Sequence, residues 1–321
     1  MSQPLRWGIL GTGMIAEKFA GQLPDTPRGE LAAVGSRSAR KSRAFAEQFG
    51  GEAREGYEAV LEDDQVDAVY VSLPNGLHHP WTLAALAAGK HVLCEKPLAS
   101  NAEQAGEIFA AADRAGQVVV EAFMYRLQPA VQRLLEMVRE GAIGQPKLVR
   151  SNFSFCREAS KADARYHADQ AGGSLMDVGC YCVNLIRALA GAEPTSVHAV
   201  AHRHEYGVDD YAAGTLSFEQ GLLGTFTCGM TVQDDMSTFI GGETGSIAMD
   251  CPWLSGDRFR VVRDGEEQVI ELPAPAGLYA MEAEAFARCV HDGQPAWISS
   301  EDTLGNLRVL DEMRRQVGLP V

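Results

Sequence analysis

Residues 5–16 read Leu5-Arg6-Trp7-Gly8-Ile9-Leu10-Gly11-Thr12-Gly13-Met14-Ile15-Ala16. An apolar run of strand length meets a G-x-G-x-x-A turn, and the residues after it, to Gln22, carry a helical pattern. Each position has a physical reason. Gly11 permits the tight turn, Gly13 lets the backbone approach a pyrophosphate, and the small Ala16 lets helix pack closely on strand, while helix N–H groups at Met14 and Ile15 face the phosphates. A glycine turn can also join a strand to a helix without any ligand, so the flanks decide. Working outward, strands are predicted over 31–36, 68–73, 91–94 and 118–122. Helices are predicted over 14–22, 39–49, 80–88 and 102–115, with Gly50, Gly89 and Gly116 just past three of their ends. Alternating units of this kind predict a doubly wound parallel sheet, an α/β Rossmann domain over 1–124, that binds a dinucleotide at its first turn.

After residue 125 the rhythm changes. A helix over 130–140 leads into strands at 147–155, 196–202, 212–218, 222–228, 246–250, 259–263 and 268–272, with hairpin turns at Glu219-Gln220-Gly221 and Arg263-Asp264-Gly265. A helix over 174–189 interrupts the series, and helices over 278–291 and 303–316 end it. The pattern predicts an α+β domain over 125–321 with a large, open, mostly antiparallel sheet, a C-terminal helix packing back on the first domain. No internal repeat separates the two.

Lys and Arg number 28 against 43 Asp and Glu, a net charge of −15. Nucleic-acid phosphates and anionic membrane surfaces are repelled by such a chain. The apolar runs 66–73 and 118–123 are too short to span a bilayer, and the N-terminus enters a strand pattern with no export signal, so a cytoplasmic protein is expected. Seven cysteines, at 94, 156, 180, 182, 228, 251 and 289, form no C-x-x-C pairs and are expected as free, mostly buried thiols. His198, His202 and His204 share parity on a strand, yet no Cys or carboxylate stands at ligand spacing beside them, and no metal is expected.

The second strand ends at Ser36-Arg37-Ser38, where an NAD site carries an acid for the ribose 2′-OH. That acid is missing, and between Glu30 and Glu47 the chain holds Arg37, Arg40, Lys41 and Arg43 with no acidic residue. A basic island in an acidic protein suits a 2′-phosphate, although a solvated helix face would look the same. NADP(H) is therefore expected ahead of NAD(H), with Ser36, Arg37, Ser38 and Lys41 at the phosphate.

His91-Val92-Leu93-Cys94-Glu95-Lys96-Pro97 puts Lys96 at the carboxyl end of a parallel strand, the edge where ligands of open α/β sheets bind. Farther on, Asp177 and Tyr181 stand four apart and are predicted to share one face of the 174–189 helix. Oxidising a carbinol requires removing its hydroxyl proton, and a tyrosine with a pKa of about 10 serves only where a cation stabilises its phenolate. Lys96 is the candidate cation. Taken alone, the helix reads more readily with Tyr181 simply half-buried.

With these residues in view, the chain resembles the Gfo/Idh/MocA oxidoreductase family over essentially its whole length. The GTGMIA turn, the Pro74-Asn75 to His78 loop, Glu95-Lys96-Pro97 and Asp177-x-Gly179-x-Tyr181 occur in order. Many members have His where this chain has Tyr181. Tyr181, the run 172–177 and Glu121-Ala122-Phe123-Met124-Tyr125-Arg126 make it similar to the branch of glucose-fructose oxidoreductase, dimeric trans-dihydrodiol dehydrogenase and NADP-dependent xylose dehydrogenase. The resemblance implies hydride transfer between a nicotinamide and a ring hydroxyl or carbonyl of a pyranose sugar or cyclic polyol, with Lys96, Asp177 and Tyr181 as catalytic residues. It implies a cis Pro97, Pro74, Asn75, His78, Glu95 and Lys96 beside the nicotinamide ribose and ring, and Phe123, Tyr125, Arg126, Arg165, Asp177 and Tyr181 around the sugar. It also implies a homodimer, or a dimer of dimers, through the open face of the second sheet. Gln128, Cys182 and Tyr166-His167 depart from the family pattern and leave the sugar open. Two other functions fit the same scaffold: a glycosidase that retains NAD and oxidises its substrate transiently, and a non-catalytic nucleotide-sensing regulator.

Overall fold

The computed structural model describes residues 4–254 and 256–321. The chain forms two compact units, Met1–Met124 with Ala276–Thr303, and Tyr125–Pro275 with Leu304–Val321.

In the first unit, β1 (Leu5–Leu10), α1 (Met14–Gln22), β2 (Gly29–Ser36), α2 (Ala39–Phe49), β3 (Glu52–Glu55), α3 (Glu58–Leu61), β4 (Ala68–Val71), α4 (His78–Ala87), β5 (His91–Glu95), α5 (Ala102–Ala115) and β6 (Val119–Ala122) follow one another. The strands lie in the order β3-β2-β1-β4-β5-β6, every pair parallel. The sheet is doubly wound as expected. β4 is buried along its whole length, because helices on both faces leave a central parallel strand no wet side. Chain order reverses between β1 and β4, so the loops after these two strands flank the switch point where nucleotides bind. β3 and α3 were not anticipated: Glu52-Ala53-Arg54-Glu55 is a polar edge strand with no apolar alternation to announce it.

The second unit holds α6 (Pro129–Arg139), β7 (Pro146–Cys156), α7 (Cys180–Ala190), β8 (Ser196–Arg203), β9 (Asp209–Ser217), β10 (Leu223–Gly229), β11 (Thr231–Asp235), β12 (Thr238–Gly242), β13 (Gly245–Met249), β14 (Arg258–Arg263) and β15 (Glu266–Glu271). Their order is β15-β14-β13-β12-β7-β10-β9-β8, with β11 also on β7. Only β7 and β10 run parallel, so the sheet is mostly antiparallel. The β14–β15 hairpin turns through Asp264 at φ 52° and Gly265 at φ 79°, the two positive angles of a type I′ turn. One face of the sheet buries Phe153, Leu216, Phe226 and Ile240 and receives α7 so closely that a Cβ on Gly224 would stand 2.5 Å from Ile186 Cγ2.

Two expectations need correction. The helix over 174–189 is not uniformly α: Leu175–Gly179 is a π turn, and the α-helix begins at Cys180. The single boundary at 124/125 is also too simple, because the chain returns to the first unit at 276–303. That return contains α8 (Leu278–Asp292), whose Phe286 packs on Trp7 with ring centroids 5.2 Å apart. The last helix, α9 (Ser300–Gln316), starts in the first unit and continues in the second. All seven cysteines are free, five of them buried.

Candidate active site

The first unit supplies a nucleotide cradle. Gly11 sits at φ +111°, and a Cβ there would lie 2.8 Å from the Ser72 carbonyl oxygen, so only glycine fits where the loops after β1 and β4 meet. A Cβ on Gly13 would meet nothing within 4 Å, which leaves its backbone open to a ligand. Gly13 begins α1 with no side-chain cap, and the first-turn N–H groups of Met14, Ile15 and Ala16 remain available to an anion. Ala16 is buried, as close helix packing needs. At the end of β2, Ser36 is buried and its Oγ accepts the Ser38 N–H at 3.3 Å. Arg37, Arg40, Lys41 and Arg43 are exposed, and among the described residues none of them joins an ion pair. An open glycine, an uncapped helix start and unpaired cations together fit a dinucleotide with a 2′-phosphate.

The carboxyl end of β5 carries the second feature. The Lys96–Pro97 peptide is cis. Several buried groups hold this turn. His78, 1% exposed, sets Nδ1 at 2.8 Å from the Pro97 carbonyl oxygen and Nε2 at 2.7 Å from that of Leu73. The ring so links the turn to the Pro74-Asn75 loop, a short 3-10 segment starting at Asn75. Burial lowers the His78 pKa, and the Lys96 charge lowers it further, against the pull of the two carbonyls. Glu95 accepts from the Tyr70 hydroxyl and from the Lys96 N–H, the latter at 3.3 Å. Phe123, fully buried, gives its carbonyl to Trp297 Nε1 at 3.2 Å.

The second unit presents Asp177 and Tyr181. Asp177 lies in the π turn and Tyr181 in the first α turn after it, so the widened turn, rather than a regular four-residue step, sets their relative direction. Asp209 on β9 fixes the start of this helix: its Oδ2 accepts Ser174 Oγ at 2.6 Å and the Leu175 N–H at 2.7 Å. Gly173, at φ +113°, is required there because a Cβ would fall 2.0 Å from Asp209 Oδ1. Arg165 Nε donates to Asp177 Oδ2 at 2.8 Å, and its Nη1 lies 3.2 Å from Asp163 Oδ1. Tyr181 is 5% exposed and is ringed by Phe153, Tyr125 and Trp253 at centroid distances of 5.2, 5.6 and 5.7 Å. The Tyr125 hydroxyl and Arg126 Nη1 both donate to Asn184 Oδ1, at 2.5 and 2.9 Å.

The structure therefore brings Tyr125, Arg126, Arg165, Asp177 and Tyr181 together in one unit, and the glycine turn, the basic island, the Pro74–His78 loop and the Glu95-Lys96-Pro97 turn in the other. Sequence reading missed Phe153 and Trp253, which lie far from any motif. It also left Gln128 unexplained: its side-chain amide donates to the Pro252 carbonyl at 2.9 Å and so steadies the loop that carries Trp253. The three histidines do not converge. His202 pairs with Asp210 at 2.7 Å, His198 lies 3.1 Å from Ser196 Oγ, and His204 packs on Tyr206. Among the described residues no cluster of His, Cys, Asp and Glu could hold a metal ion, and no helix is long and apolar enough to cross a membrane.

A sequence model described as the oxidoreductase family with an NAD-binding Rossmann fold matches residues 5–123, and one for the GFO/IDH/MocA C-terminal domain matches 131–248. The D-xylose 1-dehydrogenase (NADP(+)) 2 of Haloferax volcanii is 35% identical over 312 residues, 96% of this chain and 95% of that protein. The trans-1,2-dihydrobenzene-1,2-diol dehydrogenase of Mus musculus is 32% identical over 332 residues, 98% of this chain and 97% of that protein. Among solved structures, a 3-ketoreductase from Actinomadura kijaniata in complex with NADP and TDP-benzene superposes with a TM-score of 0.91 at 34% identity, covering 98% of each chain. The chain belongs to the GFO/IDH/MocA oxidoreductase family and is an NAD(P)-dependent oxidoreductase.

Proposed function

We propose that this enzyme uses NADP(H) to oxidise a ring hydroxyl of a pyranose or related cyclic polyol, or to reduce the corresponding carbonyl. The observation that carries this reading is the surroundings of Tyr181. Tyr125 and Trp253, both fully buried, and Phe153 pack around the Tyr181 ring and fix it, while the Arg165-held Asp177 offers a fixed acceptor for a ring hydroxyl. The bound nicotinamide supplies or takes up the hydride. Tyr181 removes the hydroxyl proton during oxidation and returns it during reduction, Lys96 is the cation that favours its phenolate, and Asp177 orients the substrate by accepting from a neighbouring hydroxyl. NADP(H) is favoured because four exposed cations follow β2 where an acid would exclude a 2′-phosphate. Two of the relatives are named for a sugar, D-xylose, and a cyclic diol, and the third is named a 3-ketoreductase, in keeping with a ring substrate.

The test mixes the protein with NADP+ or NAD+ and a panel of pyranoses and cyclic diols and follows absorbance of the reduced nicotinamide. Net reduction with at least one ring substrate, faster with NADP+, is expected. Glycoside cleavage without net reduction would move the assignment to the NAD-retaining glycosidase, and inertness toward the whole panel to the regulator.

The open face of the second sheet supports a homodimer. Val200 is 70% exposed on β8, Leu223 52% on β10 and Tyr211 42% on β9, and a groove of about 620 Å³ runs between Val200, Tyr211 and Val232. Val200, Tyr211 and Val232 form an exposed apolar cluster of the kind that seeks a partner surface, with Leu223 farther along the same face. Light scattering at micromolar concentration should give twice the chain mass, or four times for a dimer of dimers, and Val200→Glu should shift it toward the monomer.

A further inference from the structure

We infer that Glu121 is a positioning residue for Lys96, and that Thr303, on the returning segment, completes its support. The inference rests on the reading of Lys96 as the catalytic cation. Glu121 lies on β6, the strand paired with β5, and its side chain is 1% exposed. Its two carboxylate oxygens point to two different elements. Oε1 accepts the N–H of Leu98 at 3.0 Å, and Oε2 accepts Thr303 Oγ1 at 2.7 Å. Leu98 is itself fully buried, so without Glu121 its N–H would be a donor cut off from water.

Burying a carboxylate is expensive, and an apolar side chain of the same volume would satisfy packing alone at lower cost. What a carboxylate adds is direction: two acceptors, fixed by a short side chain on a rigid strand, that set the position of the backbone two residues after Lys96. From the other side His78 Nδ1 faces the carbonyl of Pro97 at 2.8 Å. The one peptide unit that joins Pro97 to Leu98 is thus gripped at its N–H from β6 and at its carbonyl from the start of α4. Lys96 has a long, flexible side chain, and the ammonium can be held in one place only if the backbone beneath it is held. Thr303, in the first turn of α9, extends the grip to the segment that comes back to this unit after β15.

A staple with no bearing on chemistry would make the same hydrogen bonds, so the test reads the pH profile as well as the rate. Single-turnover hydride transfer is measured across pH for the wild type, Glu121→Met, Glu121→Gln, Thr303→Val and Lys96→Met, with the best substrate of the panel. A misplaced ammonium stabilises the Tyr181 phenolate less, so the rising limb of the profile should move to higher pH. Glu121→Met should slow transfer roughly 10–100-fold, the scale of an ångström-level misplacement of a catalytic group, and move that limb upward. Glu121→Gln should recover most of the rate at an unmoved limb, because its carbonyl accepts from Leu98 and its amide donates to Thr303 Oγ1; this separates framing from the loss of charge. Thr303→Val should fall between. A Glu121→Met enzyme that melts earlier yet keeps the wild-type rate and profile overturns the inference while leaving Lys96 in place. Should that variant not fold, Thr303→Val decides, and an unchanged rate and profile there overturns it equally. Full turnover by Lys96→Met would instead overturn the reading on which the inference stands, and the inference with it.

Discussion

Arg165 Nε and Asp177 Oδ2 meet at 2.8 Å across the start of the π turn, and the same guanidinium reaches Asp163. The neighbouring Asp177 charge, offset by partial burial, raises the Arg165 pKa. By reciprocity the guanidinium favours the ionised Asp177. Removing it should therefore weaken catalysis most at low pH, where a carboxylate without its cation takes up a proton. Arg165→Ala should lose about 10–100-fold in kcat/KM, the worth of about 1.5–3 kcal/mol for a hydrogen bond to a charged group, with the loss deepening as pH falls. Profiles of kcat/KM for the two enzymes check this, and parallel curves would show that Arg165 does not govern Asp177.

The exposed cations after β2 should act on the 2′-phosphate alone. Arg37→Ala should weaken NADP+ by about 1.5–3 kcal/mol and leave NAD+ nearly unchanged, measured as fluorescence titrations of both nucleotides. Equal losses for the two would place Arg37 on a part of the cofactor they share.

The contrast between these two cases shows what sequence makes legible. Arg37 sits one residue past a strand whose place in the fold follows from periodicity, so its neighbourhood can be read without coordinates. Arg165 lies in an irregular segment, and the Asp177 it meets lies in a π turn that the sequence Leu175-Met176-Asp177-Val178-Gly179 does not distinguish from α. β11 and β12 escaped for a related reason: Thr231-Val232-Gln233-Asp234-Asp235 is polar, and Thr238-Phe239-Ile240-Gly241-Gly242 ends in two glycines, so neither shows the alternation that marks a strand. A helix of the C-terminal stretch is expected to pack back on the first unit, but that 276–303 is the part that does so leaves no trace in local pattern, since helix amphipathicity reports that a face is buried and not what covers it.

Glu282 on α8 should make stability fall as pH rises. It is fully buried, and among the described residues neither carboxylate oxygen has a hydrogen-bonding partner. Burial first, and the nearby Glu95 charge second, push its pKa well above the ordinary 4.5. A raised folded pKa means the unfolded chain releases its proton first. The stabilising contribution is thus complete below about pH 4.5 and is lost as pH climbs toward the folded value. Glu282→Met removes the titrating group at similar volume. It should equal or slightly exceed the wild type at pH 4 and exceed it by a wider margin at pH 8, growing by about 1.4 kcal/mol for each unit by which folding raises the pKa. Denaturant unfolding at both pH values checks the difference, and a constant gap between them would rule out titration of Glu282 as its source.

The proton itself provides the decisive case. If Tyr181 takes it and Lys96 favours the resulting phenolate, deleting only the phenolic oxygen should cripple hydride transfer and leave the nucleotide bound, because the glycine turn and the cations after β2 stand in the other unit. Tyr181→Phe should lose roughly 10²–10⁴-fold in single-turnover rate, the span typical of a general acid–base group. Its aromatic neighbours should tolerate the change, since Phe153, Tyr125 and Trp253 contact the ring, and thermal stability should stay within about 1 kcal/mol of the wild type. Lys96→Met should do comparable harm, and the double variant should be little worse than either single one, because a cation that works only through the phenolate has nothing left to assist once the hydroxyl is gone. Asp177→Asn, which keeps an acceptor for the substrate hydroxyl, should lose less. Additive losses in the double variant would mean that Lys96 and Tyr181 act on separate steps, and near-full turnover by Tyr181→Phe would send the proton to another group, with His78 or the half-buried His167, whose Nε2 stands 2.7 Å from the Lys161 carbonyl oxygen, the next to replace.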